Sequence, residues 1–244
     1  MAYVKLHEDA WGGLAWFNGV IARVRSPAAL VSLLLPAPLR ARAEPQTAQK
    51  TEHPLVFLFG ELRDGGAHVG GRDFPLGIRY REAAVMMPRI RHASHDSDTL
   101  FACEMFADDS RPVLLGNAAY GFRKRQSRIE CSGSNYEVLV DGQRRFAAQG
   151  ALAGAWWSGS PGHADTRWLE DLGASPVLGR RASGDYVLSR FSWDLSDASL
   201  CPVSVELQWS PEPGAPLLEL RSEPNDALVV RDLRWRTSPP TTLT

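Results

Sequence analysis

Apolar runs of strand length, parted by turn-forming clusters, recur along most of this chain. They occupy residues 55–62, 78–87, 99–106, 113–122, 136–140, 187–193, 203–209, 217–221 and 227–235. Between them fall Asp64-Gly65-Gly66, Asp108-Asp109, Asp141-Gly142 and Pro211-Glu212-Pro213-Gly214, residue types that interrupt ladders or take turn conformations. An earlier strand is predicted over 16–21. It leads into the clearest helix, 26–36, where Ser26 can cap, Pro27 suits the first position and Pro36 stops the run. Residues 40–53 are polar and irregular, which predicts a loop. Residues 150–173, with Trp156-Trp157 and a Ser/Gly/Pro cluster, read as a long connection carrying a short helix near 165–172. Many strands at short spacing with few helices predict an antiparallel β-barrel or sandwich. No repeat, heptad or composition break divides the chain, so a single domain over 1–244 is expected.

Composition narrows the function classes. Hydrophobic residues make up 44% of the 244, ample for a core, and the net charge is −1. That balance argues against nucleic acid or a membrane surface as the main partner. The N-terminal Met1-Ala2-Tyr3-Val4-Lys5-Leu6-His7-Glu8 has no apolar core of signal-peptide length, and the run around Leu33-Leu34-Leu35 is too short to span a bilayer. Cys103, Cys131 and Cys201 are odd in number and widely spaced. They read as buried free thiols in a reducing compartment rather than a disulfide framework or zinc site. A soluble, cytoplasmic protein is expected.

Several patterns carry little chemistry. Gly65-Gly66 and Gly70-Gly71 flank His68 without a strand–GxGxxG–helix context or a P-loop lysine, so they read as a hairpin turn. His92, His95, Asp96 and Asp98 are metal-ligand types, but no helix is evident to gather them on one face. Ser158-Gly159-Ser160-Pro161-Gly162 lacks the spacing of a nucleophile elbow. The eight tryptophans read as core rather than as a stacking platform, which would need a basic groove. Neither metal nor cofactor is expected.

Lys124 is different. Of 27 cationic residues, three are lysine (Lys5, Lys50 and Lys124), and Lys124 alone falls within 51–244. It lies in Gly121-Phe122-Arg123-Lys124-Arg125, with arginine on both sides. Where a position needs only charge, this chain uses arginine. Arginine stays protonated, whereas a desolvated lysine can shed its proton and attack a carbonyl. A strand over 113–122 would deliver the lysine to an apolar interior, and a neighbouring cation favours the neutral amine further. The plain alternative is one lysine left on a solvated face.

At these residues the chain resembles the acetoacetate decarboxylase family, whose Gly-Phe-Pro-Lys-Lys-like motif supplies a Schiff-base lysine. Here the stretch stands as Gly116-Asn117-Ala118-Ala119-Tyr120-Gly121-Phe122-Arg123-Lys124-Arg125, preceded by Met105-Phe106-Ala107-Asp108-Asp109. Trp16-Phe17-Asn18 and the later Leu35-Pro36-Ala37-Pro38-Leu39 resemble the family's early strand and its helix before a Pro-x-Pro-Leu turn. Tyr80-Arg81-Glu82 resembles the strand bearing the family's active-site glutamate, and Pro224-Asn225-Asp226-Ala227-Leu228-Val229-Val230 its last hairpin. The departures are Arg125 for the second lysine, Arg123 for the proline, Asn117-Ala118 for an Arg-Glu pair, and Leu14 for an early arginine.

The resemblance implies a mainly β fold, a closed or nearly closed antiparallel barrel with a few short helices, and a homo-oligomer. It implies an apolar cavity with Lys124 as nucleophile and Glu82 transferring protons or orienting substrate. Arg125, Glu61, Phe122 and Tyr120 are expected around the substrate, with Arg125 holding a carboxylate. The expected function is a Schiff-base-forming lyase acting on a small keto acid or ketone, by decarboxylation, aldol chemistry or dehydration. The departures favour a divergent member over an authentic acetoacetate decarboxylase. A non-catalytic barrel that binds an apolar or carboxylated small molecule stays open beside it.

Overall fold

The computed structural model describes residues 11–42, 51–159, 166–211 and 214–243. Its strands are β1 (Gly12–Pro27), β2 (Arg40–Ala41), β3 (Glu52–Val69), β4 (Arg72–His92), β5 (His95–Ala107), β6 (Lys124–Gln126), β7 (Arg128–Ser132) and β8 (Asn135–Val140). They continue as β9 (Gln143–Leu152), β10 (Trp157–Ser158), β11 (Pro176–Arg180), β12 (Tyr186–Asp194), β13 (Ser199–Trp209), β14 (Leu218–Thr237) and β15 (Thr241–Thr242). The helices are α1 (Ala28–Leu34), α2 (Ser110–Leu115) and α3 (Arg167–Ala174), and a π-helical turn spans Gly116–Tyr120.

Hydrogen bonds link β12, β11, β5, β4, β3, β1 and β14 in that order, and β14 pairs β12 again, closing a ring. Closure leaves these strands without a bare edge along that path. The expected antiparallel order holds for most pairs. It is corrected at β11–β5 and β5–β6, which run parallel. For β5–β6 the reason is the connection: the chain leaves β5, crosses through α2 and the π turn, and returns in the same direction, as a parallel pair requires. β11 joins β5 only after β6 to β10 and α3.

Over the middle of β1, β3, β4 and β5 both faces of the ring are buried, which is why these segments read as apolar runs. The second half of β12 instead alternates, with Arg190, Ser192 and Asp194 exposed. On β4, Ala84 and Met86 face the interior, with Phe17, Leu62, Met105 and Leu233. Ala83, Val85 and Met87 face a second core, covered by β7, β8, β9 and β13. There Phe57 stacks on Phe146 and meets the edge of Trp209, each with centroids 5.6 Å apart. Arg145, only 2% exposed, is buried in this layer, where its guanidinium donates to Glu104 at 2.8 Å. Trp209 Nε1 donates to the same carboxylate at 3.3 Å.

Three local expectations are corrected. Residues 113–122, expected as a strand, form the end of α2 and the π turn. Asp109 caps α2 by accepting from the Arg111 N–H at 2.8 Å, and Pro112 sits in the first turn, where its missing N–H is no loss. The early helix is shorter than 26–36: Pro27 holds the cap position and Ser26 makes no cap bond, so α1 starts at Ala28. The predicted loop over 40–53 contains β2 and the start of β3, while its residues 43–50 lie outside the described ones. The helix expected near 165–172 is α3, and residue 165 lies outside the described residues as well. Gly70 and Gly71, both at positive φ, make the β3–β4 turn, whereas Gly65 and Gly66 lie within β3. His92 and His95 face each other across the β4–β5 turn, and Asp98 pairs with Arg91 at 2.9 Å.

The cysteines are free thiols; the expected burial holds for Cys201 and is corrected at Cys131, which lies on the exposed end of β7, while burial pushes the Cys103 thiol up to about 12. A bulky disulfide reagent at pH 8 is therefore expected to modify Cys131 first and the other two only on unfolding. Modification of Cys103 at the rate of Cys131 would contradict this placement.

Candidate active site

The π turn delivers Lys124. Its five residues end at Tyr120, and Gly121 after it, with φ of 64°, turns the chain toward β6. A Cβ on Gly121 would lie 2.7 Å from the Arg180 carbonyl carbon, so glycine answers both the conformation and the contact. Asn117, within the turn, brackets the Lys124 backbone from both sides. Its Oδ1 accepts from the Lys124 N–H at 2.5 Å and its Nδ2 donates to the Lys124 carbonyl at 2.9 Å. Gly116 leaves the space that the lysine stem occupies, since a Cβ there would lie 2.9 Å from Lys124 Cδ.

Pairing with Met105 on β5 then sets the direction of the side chain. Lys124 is the only lysine among the described residues, and it is 8% exposed. Its Nζ donates to the Glu82 carboxylate, which β4 presents from the other side of β5. Nζ also lies 3.5 Å from the Tyr80 hydroxyl and 5.3 Å from that ring's centroid. Tyr80 and Glu82 are two apart on one strand and so share a face. Burial, then the Glu82 charge, pushes the Tyr80 phenol well above its ordinary range, so it keeps its proton and can donate.

These groups open onto a cavity of about 410 Å³ inside the ring. Leu58, Leu62, Met86, Trp193, Leu233 and Trp235 supply much of its wall. Tyr120 and Phe122 line it too, stacked with centroids 5.2 Å apart, and the Tyr120 hydroxyl pairs with Thr237 Oγ1 at 3.0 Å. Arg111 reaches the cavity with an exposed side chain held to Asp109, and that bonding draws the Asp109 carboxyl down to about 2.

Two residues expected around the substrate are elsewhere. Arg125 is exposed and does not line the cavity, because alternation along β6 turns it away from the face that Lys124 occupies. Glu61 sits between Gly60 and Leu62 on β3 and is held by Arg79 at 2.6 and 3.0 Å, off the cavity wall. Tyr80, Asn117 and Gly116 also neighbour Lys124, in roles that the sequence motifs containing them do not assign. For Tyr80 the signal was present, two residues before Glu82 on an expected strand. Gly116→Ala is expected to fold but to push the lysine stem aside, with a loss of roughly 10²-fold in any Lys124-dependent reaction. Unchanged Lys124 reactivity in a folded Gly116→Ala variant would show that the close approach is not needed.

No protein-family model matches the sequence, and no curated protein matches it. Solved structures do match. An acetoacetate decarboxylase of Legionella pneumophila superposes with TM-score 0.61 at 15% identity, covering 100% of this chain and 92% of that one. An acetoacetate decarboxylase-like enzyme from Sphingomonas wittichii RW1 gives TM-score 0.60 at 15% identity, over 98% and 94% of the two chains. The enduracididine biosynthesis enzyme MppR complexed with pyruvate gives TM-score 0.59 at 14% identity, over 98% and 92%. At low sequence identity, the chain carries the acetoacetate decarboxylase-like fold.

Proposed function

We propose that this protein is an enzyme whose Lys124 forms an imine with a small ketone or keto acid, and that it acts on that imine as a lyase. One observation carries the reading: a lone lysine amine is held inside an apolar cavity against Glu82. The neutral amine attacks the carbonyl carbon and a C–N bond forms; the carbonyl oxygen leaves as water carrying one amine hydrogen and one proton from an acid, so the nitrogen keeps its other hydrogen as a protonated imine. Glu82 is placed to take the proton that an ammonium must shed before attack and to return it to the departing oxygen. Tyr80 is a protonated phenol beside the same amine, suited to donate to that oxygen. The protonated imine then accepts an electron pair. The pair comes from the bond to a β-carboxylate, which leaves as carbon dioxide, or from a neighbouring C–H whose proton a base removes. Pyruvate bound to a protein of the same fold supports a keto compound here.

Acetoacetate is expected to be a poor substrate, with kcat/KM below the ~10⁴ M⁻¹s⁻¹ that opens the usual enzyme range. Leu14 lines the cavity with hydrocarbon, Asn117 is engaged with the Lys124 backbone, Ala118 is exposed, and Arg125 points away. A steady-state assay showing efficient release of carbon dioxide from acetoacetate would contradict that expectation.

The imine itself can be tested without knowing the reaction that follows. With 2-pentanone in H₂¹⁸O, reversible imine formation replaces the carbonyl oxygen with solvent oxygen. The wild type is expected to raise the exchange rate well above that of buffer, and Lys124→Gln is not. Equal exchange by the two proteins would overturn the reading.

A further inference from the structure

We infer that the cavity takes a carbonyl compound with a long apolar or aromatic tail, uncharged along its length, rather than a short keto acid. The inference rests on the imine reading for the position of the carbonyl and on the cavity wall for the tail. At about 410 Å³ the cavity falls in the range of sites for drug-sized ligands, roughly 300–1,000 Å³. A molecule the size of pyruvate would leave most of that wall uncovered. Of the polar side chains on the wall, Lys124 contacts Glu82 and Tyr80, while the Tyr120 and Thr237 hydroxyls satisfy each other and Arg111 is held by Asp109. The rest of the wall is mostly leucine, methionine, phenylalanine and tryptophan, so it offers a tail hydrocarbon contact and little free hydrogen bonding.

Charge points the same way. Among the described lining residues the cations are Lys124, already engaged by Glu82, and Arg111, already engaged by Asp109. A carboxylate partway along the tail would lose its water and find hydrocarbon in return. Three further lining residues, Trp11, Leu76 and Leu115, are also strongly exposed, so the apolar surface continues from the interior to solvent. Exposed apolar surface continuous with a cavity wall gives an apolar ligand a path from solvent to the interior.

The test uses the full chain and a series of methyl ketones, 2-pentanone, 2-heptanone, 2-nonanone and 2-undecanone, with pyruvate and the ω-carboxylated ketones as comparators. Binding is read from tryptophan fluorescence, since Trp193 and Trp235 line the wall. It is measured in the wild type and in Lys124→Gln, and adducts are trapped in parallel with borohydride. Affinity is expected to rise about fourfold per added methylene until the cavity is full, in both proteins. An ω-carboxylate is expected to weaken binding roughly tenfold or more at equal length. Affinity independent of length, or tightest binding by pyruvate, overturns the apolar-tail assignment even where an adduct forms on Lys124. Length-dependent binding without any adduct keeps the tail assignment and removes the imine reading instead.

Discussion

The Lys124→Arg variant is expected to fold normally and to lose turnover of any carbonyl compound that the wild type processes, by on the order of 10⁴- to 10⁶-fold. Arginine keeps the charge and the approximate length, so the buried partnership with Glu82 has a replacement cation. It cannot supply the amine. Glu82→Gln retains the nucleophile and removes a proton acceptor, so a smaller loss of about 10²- to 10⁴-fold is expected. The order matters more than either value. If Lys124→Arg retained more activity than Glu82→Gln, the lysine would be acting only as a charge. Circular dichroism and melting curves of both variants separate loss of chemistry from loss of fold.

The second large effect concerns stability and lies in the other core. Glu104→Ala is expected to destabilise the protein by about 3–5 kcal/mol, because it leaves the Arg145 guanidinium buried without its carboxylate. For a chain of this size that corresponds to a fall in Tm of roughly 6–20 °C. Replacing both partners with apolar residues, as in Glu104→Leu with Arg145→Met, is expected to recover most of the loss, since it removes the orphaned charge. A double variant as unstable as Glu104→Ala would mean that the pair itself supplies the stability. The pH dependence has a definite sign. Burial raises the Glu104 carboxyl against the opposing pull of Arg145 and Trp209. The folded state therefore holds that proton more tightly than the unfolded chain does. The contribution from this group is complete below the ordinary glutamate range and is lost as pH climbs through the raised value. In Glu104→Gln that slope is expected to vanish.

The central strands are legible where the ring is covered on both sides, so segments such as Ala83-Ala84-Val85-Met86-Met87 appear as unbroken apolar runs. The same cue misled at 113–122. Leu114 and Leu115 are apolar but 70% and 61% exposed, and an exposed apolar pair on a short helix looks in sequence like buried strand. The signals that pointed the other way were Asp109 and Pro112, a helix cap and a first-turn proline. Lys124 stood out by chemistry, as one amine in an arginine-rich chain, and Glu82 by resemblance. The structure sets both on one cavity. Arg125 was misplaced because a neighbour in sequence faces the opposite side of a strand. Asn117 was not legible as a positioning residue. Its bonds go to the Lys124 backbone, and they depend on a π turn that no side-chain pattern announces.

The most direct test of the account is borohydride trapping with a methyl ketone, followed by digestion and mass spectrometry of all three lysines. Hydride reduces the imine carbon and the nitrogen keeps the new C–N bond, so a trapped lysine gains the mass of the reduced ketone. The account predicts that mass on the peptide containing Lys124, little or none on Lys5 or Lys50, and its disappearance in Lys124→Arg. Equal labelling of the three lysines, or no labelling of Lys124 by any ketone that the cavity binds, would contradict it.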